Sequence, residues 1–578
     1  MKMDVSFALT AGYECLVAWS DLLDRINVFP VADGDTGTNL RISLTPLRDR
    51  GDGPHGSRGD QLSRCATGNS GNIAAAFFRE FIDASAPDQL ADRAARGRDR
   101  AWQAVAAPRR GTMLSVFDTV AALLANDDWR TDYPKIRRLL QQSVLDGARY
   151  IPEVRQAGVV DAGALAMFIF FDGFCQRLLG TAEIFVAVLN LFAGRLRVAD
   201  DFRAAANGQW CVDAVLAAPH ASAETLQALS ALGDSVVLLP GTEQVKIHVH
   251  TPEPDRLRER LAGFGDVVDW SGEAIETSGP DWPVTHDSKQ VVHILSDAAG
   301  SLTRELAGQA GISLLDSYIV ADGQSRPESL CDPASIYRLL RAGTKVTTAQ
   351  ASTFERHQSY RRICEQLGRT IYLCVGSAFT GNVETALAWK NEHDPGELLE
   401  VVDTGAASGR LGLIALLTAR FARTAGSIEQ VSAFARRRLS DCREYVFIDE
   451  LKYLVAGGRV SRAGGFFGDL LHLKPVISPT SAGVRKEGVV RNRKGQLAFA
   501  LARLSEFFSA ADRPTVMLQF TDNADWVKER VGGEIAGLLP RAEVLVVPLS
   551  LTSGVHMGPG TWSVACGPAQ DEAASGES

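Results

Sequence analysis

NVFPVADGDTGTN, residues 27–39, decides how the first third of this 578-residue chain is read. Pro30 ends regular structure, and Gly34 and Gly37 permit a tight bend that turns Asp33 and Asp35 the same way. Two carboxylates one residue apart, with Asn27 and Asn39 nearby, form a hard-oxygen set suited to Mg²⁺. An EF-hand does not fit: its sixth position is Thr38 rather than Gly, and its twelfth is Leu44 rather than Glu. A solvated Asx-turn explains the same residues equally well on their own.

Working outward, apolar residues recur at helical spacing in 6–26, 71–82 and 163–179, so 1–178 reads as a helical domain. Within it, TGNSGN (67–72) opens a helix, offering backbone N–H groups and a hydroxyl to an anion. GTMLS (111–115) repeats a Gly-Thr before a helix, and VVDAGA (159–164) does so with an acid. Each alone is an ordinary N-cap. Three such loops beside an acidic loop read as a nucleotide site. No GxxxxGK[ST] is present, which excludes a P-loop ATPase. GDGPHG (51–56) matches GxGxxG but follows no strand and contains Pro54, so it reads as a surface loop. GNSG is not a GxSxG nucleophile elbow.

From 200 to 275 the texture becomes that of a small α/β domain, with strand-like runs at 234–240 and 245–251. In KIHVHT, His248 and His250 share one strand face. With Cys211 in QWCVD they make a candidate zinc set, although two ordinary strand histidines account for the spacing as well. Residues 276–289, rich in Pro, Gly and small polar side chains, read as a linker. Beyond it, 290–566 alternates strand-like runs (290–297, 368–377, 396–404) with helical ones such as 408–440, the pattern of an α/β domain. Its candidate binding residues are Arg459 in LKYLVAGGRVS (451–461) and His556 in the Gly/Pro loop GVHMGPGT. Hydroxyls cluster at KVTTAQAS (345–352) and VGSAFTGN (375–382). Helix-cap, turn and surface roles account for each of these singly. The tail 567–578 is small and polar and reads as disordered.

Sixty Lys plus Arg against 69 Asp plus Glu leave a net charge of −9, which argues against coating of nucleic acid. The 9 Cys are scattered without a CxxC, the usage of a reducing compartment. No basic-then-apolar leader opens the chain, and the apolar stretches near 162–175 and 184–192 look too short or too interrupted for a membrane span. The expectation is a soluble, cytoplasmic, multidomain protein.

NVFPVADGDTGTN, GNSGN, GTMLS and AGVVDAGA, in this order, resemble the nucleotide-binding subunit of dihydroxyacetone kinases, and more closely the ATP-binding component of fatty acid kinase. The resemblance covers 1 to about 275. It implies an eight-helix barrel with ATP and two Mg²⁺ at one end. Asp33, Asp35 and Asn27 would be the metal ligands, although the Asn27–Asp33 spacing differs by one residue from the dihydroxyacetone kinase form, and Ala32 stands where Pro is usual. Gly68, Asn69, Ser70 and Gly71 would hold phosphates, with Thr38 and Asn39 also at the nucleotide and Thr112 and Asp161 nearer the nucleoside. The same resemblance implies a zinc site at Cys211, His248 and His250. From 290 to 566 the chain resembles the DegV family of fatty-acid-binding proteins, which implies Thr348, Thr380, Gly381, Arg459, Arg491 and His556 around a lipid carboxylate, with Arg459 at the catalytic end. Two family motifs depart: Thr348-Ala349-Gln350-Ala351 loses a hydroxyl, and Phe379-Thr380-Gly381-Asn382 keeps one. Together these imply a fused fatty acid kinase that yields an acyl phosphate for an acceptor enzyme, as a homodimer making transient membrane contact. A dihydroxyacetone-type kinase and a non-catalytic lipid sensor are the rival readings.

Overall fold

The computed structural model of the chain describes residues 4–48, 57–181, 184–203, 209–218, 220–275, 291–456 and 473–569. The loop 51–56, the linker 276–289, Arg459 with its GGRVS segment, and the tail after 569 lie outside the described residues. The chain divides into two compact units, 1–281 and 282–578.

The first unit begins with α1 (Val5–Arg25), whose N-cap Asp4 accepts the Phe7 N–H at 3.1 Å. Then come α2 (Thr36–Ser43), α3 (Arg58–Cys65), α4 (Gly68–Phe81), α5 (Leu90–Ala104), α6 (Met113–Leu124), α7 (Tyr133–Leu145), α8 (Pro152–Ala157) and α9 (Ala162–Leu179). Neighbour contacts run α9–α1–α2–α4–α5–α6–α7 and back to α9, closing a ring of seven helices. The expected eighth member goes beyond what those contacts give: α3 packs on α4, and α8 on the turn at 146–149. Inside the ring Phe77 stacks on Phe117 at 4.1 Å, and Phe78, Phe81, Phe170, Phe171 and Phe174 interlock edge to face or offset. This explains α9. It is long and apolar enough to span a bilayer, contrary to the expectation from 162–175, yet 83% of it is buried inside the helical unit.

A short helix α10 (Val188–Leu191) leads to the middle domain, which contains β1 (Trp210–Ala217), α11 (Ala223–Ser230), β2 (Asp234–Pro240), β3 (Gln244–Thr251), α12 (Pro254–Ala262) and β4 (Asp266–Ala274). The sheet order is β2–β3–β1–β4, antiparallel throughout. Alternation sorts its faces. Val212, Ala214, Leu216, Val245, Ile247 and Val249 form a core with Leu229, Leu257 and Leu261 of the two helices. The polar partners Cys211, Asp213, Lys246, His248 and His250 face the other way, toward α4. Lys246 Nζ donates to the Ala66 and Arg64 carbonyls at the entrance of that helix. The Ala106 N–H donates to the Val236 carbonyl at 3.0 Å, pinning the chain after α5 to β2.

The second unit holds a four-stranded parallel sheet in the order 399–403, 370–374, 293–297, 312–315. A six-stranded mixed sheet runs 483–490, 474–480, 443–447, 562–568, 514–520, 543–548. A three-stranded antiparallel sheet completes it. The helix Ser408–Ala422 is buried between the two larger sheets. The single helical run expected over 408–440 is two helices. Ser427 caps the second by accepting the Gln430 N–H, and Phe421 stacks on Phe434 across the break at 4.3 Å. The last strand runs to Pro568, so the tail starts later than its composition indicates. Asp297 anchors this unit: buried, it accepts from Arg356 Nη1 (3.2 Å), the Tyr372 hydroxyl (2.9 Å), the Val375 N–H (2.9 Å) and Asn382 Nδ2 (3.0 Å).

Candidate functional site

The acidic loop opens into a cavity of about 400 Å³ in the first unit. Asn27, Asp33, Asp35, Asn69, Ser70, Thr112, Asp161 and His250 all line it, so eight residues singled out in the sequence meet there. Gly34 takes φ +70° and turns the chain between the two acids. Asp35 stands at the N-cap of α2 without a side-chain cap bond and lines the cavity. Burial pushes Asp33 above the usual carboxylate range, and burial plus the Asp33 charge push Asp35 up to about 8. Asn27 Nδ2 donates to Asp33 at 2.5 Å, so the Asn27 Oδ1 is buried without a partner. The Asn69 Oδ1 is buried without a partner too. Two crowded carboxylates and two unsatisfied amide oxygens form a donor set that fits a small, hard cation such as Mg²⁺.

Other expected contacts are elsewhere. Gly37 makes no bend. It lies inside α2, where a Cβ would come within 2.1 Å of the Ser20 carbonyl oxygen, so it serves the close crossing of α1. Thr38 donates from its N–H and its hydroxyl to Asp24 at 2.9 and 2.8 Å, tying α2 to α1 rather than lining the cavity. Asn39 and Gly68 pack on one another: Gly68 has φ +63°, and a Cβ there would meet Asn39 Nδ2. Gly71 abuts Ser43. Only Asn69 and Ser70 of the GNSG turn face the cavity. Thr112 and Asp161 are caps as well as lining residues; Asp161 accepts the Ala164 N–H at 2.7 Å, and burial pushes it up to about 7. Phe29, Val31, Ile73, Met113 and Leu114 add an apolar wall, and Arg109 sits 5.6 Å from the Phe29 ring. The middle domain supplies Gln209, Asp234 and Ser235, which sequence reasoning did not single out.

Cys211, His248 and His250 do come together, with one ligand atom from each within 4.8 Å of the others. In the β1–β3 register Cys211 is opposite His250, and Asp213 is opposite His248. Burial and the neighbouring His248 lower His250 to about 3, so it is a neutral imidazole. Burial, then Asp213 and the two loop acids, raise the Cys211 thiol. His248 Nε2 and His250 Nδ1 are buried without partners. A thiol and two unpartnered imidazole nitrogens in one buried spot fit Zn²⁺.

Asp213 was missed by the sequence reading. Its Oδ2 accepts the Gly68 N–H at 2.8 Å and the Thr67 hydroxyl at 3.2 Å. Its Oδ1 accepts from Asn72 Nδ2 at 2.9 Å and lies 3.3 Å from His248 Nδ1. The N–H that was expected to meet a phosphate at Gly68 is therefore engaged by a protein carboxylate. The available signal was position: Asp213 lies two residues from Cys211, on the same strand face.

Comparison with known proteins matches residues 30–176 to the DAK2 domain, 207–276 to the middle domain of FakA-like fatty acid kinase proteins, and 291–568 to the DegV family. The chain is a DAK2–DegV fusion. Protein YloV of Bacillus subtilis is 25% identical over 377 residues, 58% of this chain and 67% of that one. An uncharacterised Staphylococcus haemolyticus protein is 27% identical over 281 residues, 43% of this chain, and the fusion spans about half of that relative's length (50%). A DegV domain-containing protein of Clostridium perfringens is 23% identical over 278 residues, 47% of this chain and 95% of that one. Among solved structures, a DegV family protein from Thermus thermophilus, described as fatty acid binding, is 26% identical, with 48% of this chain and 99% of that one covered and a TM-score of 0.44. A stearic acid-binding protein from Eubacterium ventriosum is 20% identical, with 48% and 99% covered and a TM-score of 0.44.

The DegV half of the fusion has its own cavity of about 160 Å³, lined by Thr380, Asn382, Ser408, Thr552 and His556 among apolar residues including Phe379, Val446, Ile477 and Met557. His556 is not in a Gly/Pro loop but on the last turn of the helix Leu551–Met557, which stops at Gly558. Its Nε2 is 3.1 Å from the Thr348 hydroxyl, so Thr348 touches the cavity through His556. Gly381 is exposed as the N-cap of the helix Asn382–His393, outside the lining. Arg491 is exposed just past the strand Gly483–Val490, also outside it.

Proposed function

We propose that the fusion is a fatty acid kinase: it transfers the γ-phosphoryl group of ATP to a fatty acid carboxylate and releases an acyl phosphate and ADP. The observation that supports this most is the pair of half-buried carboxylates, Asp33 and Asp35, beside the unpartnered Asn27 and Asn69 oxygens in a cavity that Asn69 and Ser70 of the GNSG turn also line. Mg²⁺ bound there would neutralise phosphate charge during transfer, so the chain needs no nucleophile of its own. A carboxylate oxygen forms the new bond to phosphorus as the bond from phosphorus to the β–γ bridging oxygen breaks, and charge balances without a proton. Ser70 can donate to phosphate oxygens. The apolar wall of Phe29, Ile73 and Met113 suits a nucleoside base. In the DegV half, His556 and Thr380 at an apolar cavity suit a lipid carboxylate. Arg459, the further residue proposed at that carboxylate, lies outside the described residues.

The test is ATP consumption by the purified full-length chain with and without oleate, with the product trapped by hydroxylamine as the hydroxamate. Oleate-dependent hydroxamate that disappears in Asp35→Asn supports the reading. ATP turnover with dihydroxyacetone and none with fatty acids refutes it.

A further inference from the structure

One carboxylate stands between the two candidate metal environments of the first unit. Asp213 receives three hydrogen bonds from the entrance turn of α4 and faces His248 across the sheet. Its two oxygens divide the work. Oδ2 holds Thr67 and Gly68, while Oδ1 is shared between Asn72 and the His248 Nδ1. A histidine that ligates a metal through one ring nitrogen commonly places the other against a carboxylate, which fixes the ring's orientation and strengthens the ligand. His248 has this form: Nδ1 lies 3.3 Å from Asp213 Oδ1 and 4.0 Å from Cys211 Sγ, and Nε2 is buried and unpartnered. The same side chain also fixes the turn that carries Asn69 and Ser70 into the nucleotide cavity.

We propose that Asp213 is a positioning residue that joins the Cys211–His248–His250 cluster to the phosphate turn, so that each of these sites senses occupancy of the other. This rests on the kinase reading for the nucleotide cavity; the Asp213 contacts themselves do not depend on it. Nucleotide phosphates order the turn 67–72, and an ordered turn holds Asp213 against His248. Nucleotide therefore tightens metal binding at the cluster, and by linkage metal tightens nucleotide binding by the same factor.

The experiment uses the full-length chain, with Co²⁺ as the metal probe. Its thiolate-to-cobalt absorption band reports coordination by Cys211 directly, without any turnover. Co²⁺ is titrated with and without saturating ADP–Mg²⁺, and nucleotide binding is measured separately with a fluorescent analogue. In the wild type, nucleotide should raise Co²⁺ affinity by about fivefold or more. Asp213→Ala should lower Co²⁺ affinity about 10–100-fold even without nucleotide and bring the ratio with and without nucleotide to one. Asp213→Asn keeps the volume and serves if the alanine variant does not fold; its ratio should also fall to one. A variant that keeps the wild-type ratio overturns the proposal, as does a wild-type ratio of one in a chain that binds nucleotide. A wild-type chain that binds no nucleotide refutes the kinase reading first, and the coupling with it.

Discussion

Metal binding at the acidic loop should be strongly linked to protons. In the metal-free chain, burial and the adjacent Asp33 push Asp35 up to about 8, and burial raises Asp33 as well. A cation that needs the ionised pair must displace the proton. With a pKa of about 8, roughly one chain in ten carries an ionised Asp35 at pH 7, so Mg²⁺ should bind about tenfold more weakly there than above pH 9. The apparent affinity should climb nearly tenfold per pH unit from 6 to about 8 and then flatten, with about one proton released per ion at pH 7. The effect on stability runs in the same sense. The folded state keeps a proton that the unfolded chain gives up near the ordinary carboxylate value. The metal-free first unit should therefore lose stability as pH rises from about 4 toward 8, and Mg²⁺ should restore more of it at pH 8 than at pH 6. Isothermal titration with Mg²⁺ alone, in buffers of different ionisation enthalpy, measures both affinity and proton release. Asp33→Asn removes the neighbouring charge and should move the steep region to lower pH. An affinity that is flat between pH 6 and 8, with no dependence on buffer, would refute the reasoning.

Three further outcomes follow from other contacts. Gly37→Ala forces a methyl group onto the Ser20 backbone and should cost about 1–3 kcal/mol, seen as faster amide exchange in α1 and α2; unchanged protection would mean the crossing yields easily. Asp297→Ala strands the buried Arg356 and should destabilise the second unit by about 3–5 kcal/mol in urea unfolding, whereas a loss below 1 would show that the network is dispensable. His556→Ala should weaken fatty acid binding about tenfold or more while leaving nucleotide affinity unchanged, and equal lipid affinity would remove His556 from the head-group site.

The helical unit and its acidic loop were legible because their signals are local. Helical periodicity, capping residues and an Asp-x-Asp pair do not depend on distant partners, and Asn27, Asp33, Asp35, Thr112 and Asp161 all reach one cavity. Glycine was the weak letter of the code. Gly37, Gly68 and Gly71 read as a bend and a phosphate cradle, yet two of them make room for a neighbouring helix and the third for Asn39. A missing Cβ looks the same in sequence whether it admits a phosphate or a backbone. Thr38 was misassigned because its partner Asp24 is fourteen residues away on another helix. His556 read as a loop residue because the helix that carries it is only about two turns long and is followed by Gly and Pro. Asp213 was hidden for the opposite reason. Nothing in QWCVD tells that the strand's polar face is covered by α4; only the folded unit does.

The middle-domain strand β1 carries two kinds of information in one short stretch. Its odd-numbered residues Cys211 and Asp213 are held by chemistry, each answerable to a particular atom across the sheet or on α4. Its even-numbered residues Val212, Ala214 and Leu216 are held by volume, answerable only to a packed interior. Exchanging Val212 for Ile is therefore a question of packing, whereas exchanging Asp213 for Glu moves a charge by one carbon out of four hydrogen-bonding relationships at once. Inserting a single residue before Val212 would be worse than either. It would carry the carboxylate into the oil of the core and present valine to the histidines, so the spacing of this strand is as much a part of the site as the residues themselves.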